Sequence, residues 1–151
     1  MSHSAPEVLA MAICDIVIED VESGKKSLIG LFDQVHTTQL PSLVNELNVY
    51  LCLTDGRGTF PAELRCISAE TEEELFHTEG SIEFPDPLGV VDLHFRFQGC
   101  EFPYEGEYRF QFLCAGQLLR ERKFYVKLEA EKEEDDVEEV EEPESDLEDE
   151  E

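Results

Sequence analysis

The sequence predicts an all-β protein: an antiparallel β-sandwich of 7–8 strands followed by a disordered acidic C-terminal tail. Three observations lead there. Several segments alternate apolar and polar residues with the period of two that marks a half-buried strand. Turn signals built on Gly, Pro and Asp recur roughly every 8–12 residues, the spacing of sandwich strands. No amphipathic helix of any length is visible. Strands that each offer one apolar face pack economically as two layers.

Residues 1–7 read as a flexible start and residues 8–128 as the sandwich. Val8 to Glu19 is apolar and β-branched, and Ile16-Val17-Ile18 favours a strand. Asp15 interrupts that run, which predicts a bulge or a strand end. Ser23-Gly24 marks a turn, and Ser27 to Thr38 follows as one irregular strand with Gly30 inside it. Leu40-Pro41 ends that strand, because Pro supplies no ladder donor.

Glu46 to Thr54 alternates cleanly, with Leu47, Val49, Leu51 and Leu53 on one face. Asp55-Gly56 then signals a tight hairpin to Thr59–Ser68, where Phe60, Ala62, Leu64 and Cys66 share a face. Pro61 suggests an edge position or a strand start. Ala69 to Glu74 reads as a loop, and Leu75 to Phe84 as a weaker strand ending at Pro85-Asp86-Pro87. Val90 to Gln98 turns Val91, Leu93, Phe95 and Phe97 inward.

The last two strands form a hairpin around Ala115-Gly116-Gln117. Tyr108, Phe110, Phe112 and Cys114 share one face; Phe124, Val126 and Leu128 offer the facing layer. Gly106-Glu107-Tyr108 resembles a tyrosine corner, which would make the sandwich immunoglobulin-like; an ordinary strand Tyr explains the same residues.

Residues 129–151 carry 16 of the 37 acidic residues and a single basic one, Lys132. Dense like charge with little apolar surface cannot repay ordering entropy, so disorder is expected there. The remainder is also net negative, which argues against nucleic acid and against anionic membrane surfaces as partners. No run approaches the roughly 18 apolar residues of a membrane helix, and Val8–Ile18 lacks a basic region or a cleavage site, so a cytoplasmic protein is expected. Five cysteines, Cys14, Cys52, Cys66, Cys100 and Cys114, show no paired motif and read as free thiols.

Chemical motifs are sparse. His3, His36, His77 and His94 have no metal-ligand spacing among them. Asp15, Asp33, Asp55 and Asp86 lie in or beside turns, where a calcium site or ordinary turn chemistry accounts for them. Cys52, Cys66 or Cys100 could meet His94 only through the fold. The expectation is therefore no catalytic residue, no cofactor and no metal.

Two features point to binding. Arg120, Arg122 and Lys123, extended by Lys127, form a basic run in an acidic body. It would receive an acidic protein partner or the chain's own tail; a solvated face that also protects a sheet edge is the favoured explanation. The tail suits basic surfaces, or serves solubility alone. The function expected is a non-enzymatic interaction module. The alternative is a small metal-binding or hydrolytic domain using loop Cys, His and Asp residues.

Ile13-Cys14-Asp15, Ser27-Leu28-Ile29-Gly30-Leu31-Phe32, Leu40-Pro41 and Gly106-Glu107-Tyr108 with its strand occur in an order that resembles the DUF6941 family, bacterial single-domain proteins of unknown function. The resemblance spans about residues 8–128. It implies a compact bacterial β-domain and brings no activity, cofactor or site residue.

Overall fold

The computed structural model of the chain describes residues 5–130. Of the expected disordered tail, residues 129–151, Glu129 is placed, its N–H donating to Thr37 O at 2.8 Å and its carboxylate 2.7 Å from His36; residues 131–151 lie outside the described residues, as does the start, residues 1–4. Nine strands follow in order: β1 (Glu7–Glu19), β2 (Lys26–Leu31), β3 (Gln34–Thr37), β4 (Ser42–Thr54), β5 (Gly58–Ser68), β6 (Glu74–Phe84), β7 (Val90–Phe102), β8 (Gly106–Cys114) and β9 (Gln117–Leu128). They make two sheets, β2-β1-β4-β7 and β3-β9-β8-β5-β6. Consecutive strands pair only at the β1–β2, β5–β6 and β8–β9 hairpins; every other connection crosses between layers.

The strand count exceeds the expected 7–8 because Ser27–Thr38 is not one strand. Lys26–Leu31 pairs with β1, and the Phe32 N–H still donates to Ile13 O at 3.1 Å. One residue later Asp33 O accepts from the Tyr125 N–H at 3.0 Å, and the chain has passed to the other sheet. There β3 runs parallel to β9, the exception to otherwise antiparallel ladders among the described residues.

The Asp55-Gly56 turn is a second correction. It joins β4 to β5, which lie in different sheets, so it is a crossover and not a hairpin. Gly56 is required there because a Cβ would fall 2.4 Å from the Phe84 ring. Pro61 is not on an edge either, since β5 sits between β8 and β6. It is tolerated because the β5–β8 ladder begins only at Ala62↔Cys114. The β8–β9 turn uses positive φ at Ala115 (51°) and Gly116 (79°), the twist that a two-residue hairpin needs.

The inward faces follow the alternation in the sequence. Leu47, Val49, Leu51 and Leu53 of β4 oppose Leu64 and Cys66 of β5 and Phe110 and Phe112 of β8, all fully buried. Phe97, Phe102, Tyr108, Phe110 and Phe124 form a run of ring contacts with centroids 5.1–5.7 Å apart. Leu128 departs from the expectation: it is about two-fifths exposed, at the end of β9. Tyr108 does form the corner. Its hydroxyl donates to Tyr104 O at 2.6 Å and accepts from the Tyr104 N–H at 3.1 Å.

Candidate functional site

β9 has two different edges. One is fully paired with β8, from Gly106↔Val126 to Cys114↔Gln117. On the other, β3 covers only Tyr125 to Leu128. Upstream of that, from Gln117 to Phe124, no strand pairs with the outer side among the described residues, although the Val8 end of β1 comes within reach of Arg120. Just before β3 begins, a cleft of about 860 Å³ opens between Asp33, Gln34 and Tyr125 on one side and Arg109, Glu121 and Lys123 on the other.

The three basic residues singled out in the sequence all lie on this strand, but they do not form one face. Arg120 and Arg122 are register partners of the inward-facing Phe112 and Phe110; Lys123 partners Arg109 on the outer face. Alternation therefore sends Arg122 and Lys123 to opposite sides of the same open edge. Both line the cleft, and Arg120 does not. The Arg120 guanidinium instead donates to Val8 O of β1 at 2.6 Å, tying the sheets together at their margin. Arg120 thus separates from Arg122, which has the same side chain on the same face, because the Val8 end of β1 comes within its reach.

Around the cleft Glu107, Arg109 and Glu121 are matched to one another. Arg109 Nε donates to Glu107 at 3.0 Å and its second nitrogen lies 3.5 Å from Glu121. Glu107 beside it holds the Arg109 guanidinium more firmly protonated than usual. Arg65 Nε donates to Gln111 Oε1 at 2.8 Å, and Gln111 in turn donates to Glu121. Arg122 and Lys123 have no carboxylate partner among the described residues. They are the cations this surface leaves available.

A second polar array, on β4 and β7, was missed in the sequence. Asn48 is fully buried. Its amide donates to Asp15 O at 2.7 Å and to Glu46 at 3.0 Å, and its carbonyl faces His94 Nε2. Arg96 pairs with Glu46 at 3.2 Å. Tyr50 donates to Asp92 at 3.3 Å, and Lys26 reaches the same carboxylate at 3.3 Å. Burial, then the Asp92 charge, pushes the Tyr50 phenol up to about 12. Burial, with Lys26 and Arg96 nearby, lowers the His94 pKa. The signal was present: Asn48, Tyr50 and Cys52 alternate out of one clean strand, Asp92, His94 and Arg96 out of the other, and the two are ladder partners. Every buried polar group here has a partner, so the array reads as a tie between β1, β4 and β7.

The cysteine–histidine idea separates by layer. Cys66 and Cys100 are buried between the sheets, and burial raises both thiols, Cys100 to about 11. His94 belongs to the outward side of β7 with Asp92 and Arg96, so neither meets it. Cys52, half-buried, shares the outward side of β4 with Tyr50. The four aspartates do not converge. Among the described residues, the group with three candidate ligand atoms within 4.8 Å of one another is Glu63, Glu74 and His77. There His77 Nδ1 lies 2.6 Å from Glu74 and Nε2 lies 3.6 Å from Glu79. Both ring nitrogens face carboxylates, and the Glu74 hydrogen bond raises the His77 pKa. That arrangement favours the charged form of the imidazole.

The two-sheet topology and the Tyr108 corner define an immunoglobulin-like β-sandwich. The chain belongs to DUF6941, a family of unknown function, whose model matches residues 9–127. No curated protein matches it. Among solved structures, it is similar to an immunoglobulin-like protein from Pseudomonas aeruginosa, at 14% identity and a TM-score of 0.41, covering 84% of this chain and 100% of that one. It is also similar to the alkylpurine DNA glycosylase AlkC of Pseudomonas fluorescens, bound to DNA containing an abasic site analogue, at 8% identity and a TM-score of 0.41. That match covers 63% of this chain and 28% of the glycosylase.

Proposed function

We propose that this protein is a non-enzymatic interaction module that receives an extended, acidic segment of a partner protein along the open edge of β9. One observation carries the reading. A stretch of β9 backbone has a strand on one side only, and Arg122 and Lys123 straddle it without carboxylate partners of their own among the described residues. An added strand gains main-chain hydrogen bonds from such an edge, and its side chains meet a cation above and below. The recessed start of β3 gives the incoming chain a place to end. Five free cysteines suit a reducing, cytoplasmic setting for this role. Among the described residues no helix is long and apolar enough to cross a membrane.

The test is titration of the full chain with a fluorescently labelled extended peptide rich in Glu. Saturable binding at about 0.15 M salt, where the chain's net charge of −26 is largely screened, that weakens at least tenfold in Arg122→Glu/Lys123→Glu supports the reading. Equal affinity in that variant, or no binding at that salt, rejects it.

A further inference from the structure

We propose that residues 137–142 of the acidic tail lie along the open edge of β9 and compete there with the partner segment, so that the chain restrains its own binding site. The inference rests on the reading of β9 as a binding edge and adds how that edge is regulated. The described fold ends at Ala130, and residues 131–151 follow it with Lys132 as their one basic residue. The rest of the chain is itself net negative, so most of its surface repels such a segment. The β9 edge is the exception, because Arg122 and Lys123 have no carboxylate partner among the described residues.

The tail starts beside this edge. The Glu129 N–H continues the β3–β9 ladder by donating to Thr37 O at 2.8 Å, and the Glu129 carboxylate lies 2.7 Å from His36 on β3. His36 is the register partner of Lys127, which shares the outer face of β9 with Tyr125 and Lys123. Lys127 and then Lys123 therefore mark the way back from the tail to the cleft. From Ala130 to Lys123 is about 23 Å of strand at about 3.3 Å per residue. A chain that doubles back covers that length in as many residues, which brings residue 137 level with Lys123. Residues 137–142 then run antiparallel to β9 within the stretch from Gln117 to Phe124 that lacks a strand on its outer side.

The sequence there suits the edge. It reads Val137-Glu138-Glu139-Val140-Glu141-Glu142. In an extended chain Glu138 and Glu142 take one face, and Glu139 and Glu141 the other. Arg122 and Lys123 stand on opposite faces of β9, so either orientation of the segment sets a carboxylate near each cation. Pro143 follows, and its missing N–H ends the ladder. Tethering holds the segment at an effective concentration on the order of 1 mM. Solvated ion pairs are individually weak, so the tail occupies the edge part of the time and a partner at sufficient concentration displaces it.

Two measurements on the full chain test it, both at about 0.15 M salt. A water-soluble carbodiimide joins a carboxylate to an amine in contact with it. In dilute protein, mass mapping should find Lys123 linked within one chain to Glu138, Glu139, Glu141 or Glu142. The labelled Glu-rich peptide should bind Glu138→Gln/Glu139→Gln/Glu141→Gln/Glu142→Gln about fivefold or more tighter than the native chain. Glu19→Gln/Glu22→Gln/Glu83→Gln/Glu101→Gln removes as many exposed charges away from β9 and should leave the affinity within about twofold. No link at Lys123 overturns the proposal, as does a tail variant that binds the peptide no better than the native chain. A peptide bound by neither protein, with the Lys123 link present, rejects the partner reading instead and supports the tail contact.

Discussion

The Tyr108 hydroxyl sits between the two backbone polar groups of Tyr104, donating to its carbonyl and accepting from its N–H. The phenol is almost fully buried, while the Tyr104 side chain is half exposed. One side chain therefore satisfies both main-chain groups at the crossover from β7 to β8. Tyr108→Phe should cost about 1–3 kcal/mol, because the ring still packs but the two Tyr104 groups lose their partner. Tyr104→Phe should change stability by less than about 0.5 kcal/mol. Urea denaturation of the two variants checks both expectations, and equal effects would remove the corner's role.

Phe110 lies at the centre of the ring run, fully buried and stacked on Phe97 and Phe124. Phe110→Ala leaves a cavity between two sheets that cannot close around it. It should destabilise by roughly 3–5 kcal/mol, measured by the same unfolding assay.

The strand faces were legible before the structure. Leu47, Val49, Leu51 and Leu53, and Tyr108, Phe110, Phe112 and Cys114, point inward as the period of two requires. The layer changes were not legible. Asp55-Gly56 has the composition of a hairpin turn yet carries the chain between sheets, because a turn signal says that the chain reverses and not which strand it then pairs with. At Phe32-Asp33 the turn signal is a lone Asp with no Gly or Pro beside it, too weak to split the strand, and the tertiary bonds to Ile13 and Tyr125 reveal the break. The basic run on β9 was visible as composition. That Arg120 would be consumed by Val8, leaving Arg122 and Lys123 on either side of an edge, depends on which strand lies across from it. The Asn48–His94 array was hidden for the same reason: its members are far apart in sequence and meet through the β4–β7 ladder.

Thiol reactivity should divide the five cysteines sharply. Cys14, Cys66, Cys100 and Cys114 are buried, and burial raises all four thiols; Cys52 is half-buried. Ellman's reagent should modify one thiol quickly in the native chain and five after denaturation. Cys52→Ser should abolish the fast phase. A fast phase that survives would place the accessible thiol elsewhere.

Two histidines should titrate on opposite sides of the ordinary value of 6.5. The Glu74 hydrogen bond raises His77, so its contribution to stability is present below the unfolded-state value and is lost as pH rises through the folded one. Burial and the nearby Lys26 lower His94, so its contribution is present above the unfolded-state value and is lost as pH falls through the folded one. Imidazole NMR titration should show His77 changing at higher pH than His94, and Glu74→Gln should bring His77 back toward 6.5. A reversed order would contradict both environments.

The binding edge of β9 is most directly tested by amide hydrogen exchange of the full chain with and without the Glu-rich peptide. Protection gained within Gln117–Phe124, and absent in Arg122→Glu/Lys123→Glu, is the predicted result. Exchange there that is unchanged at saturating peptide, or protection confined to another strand, would contradict it.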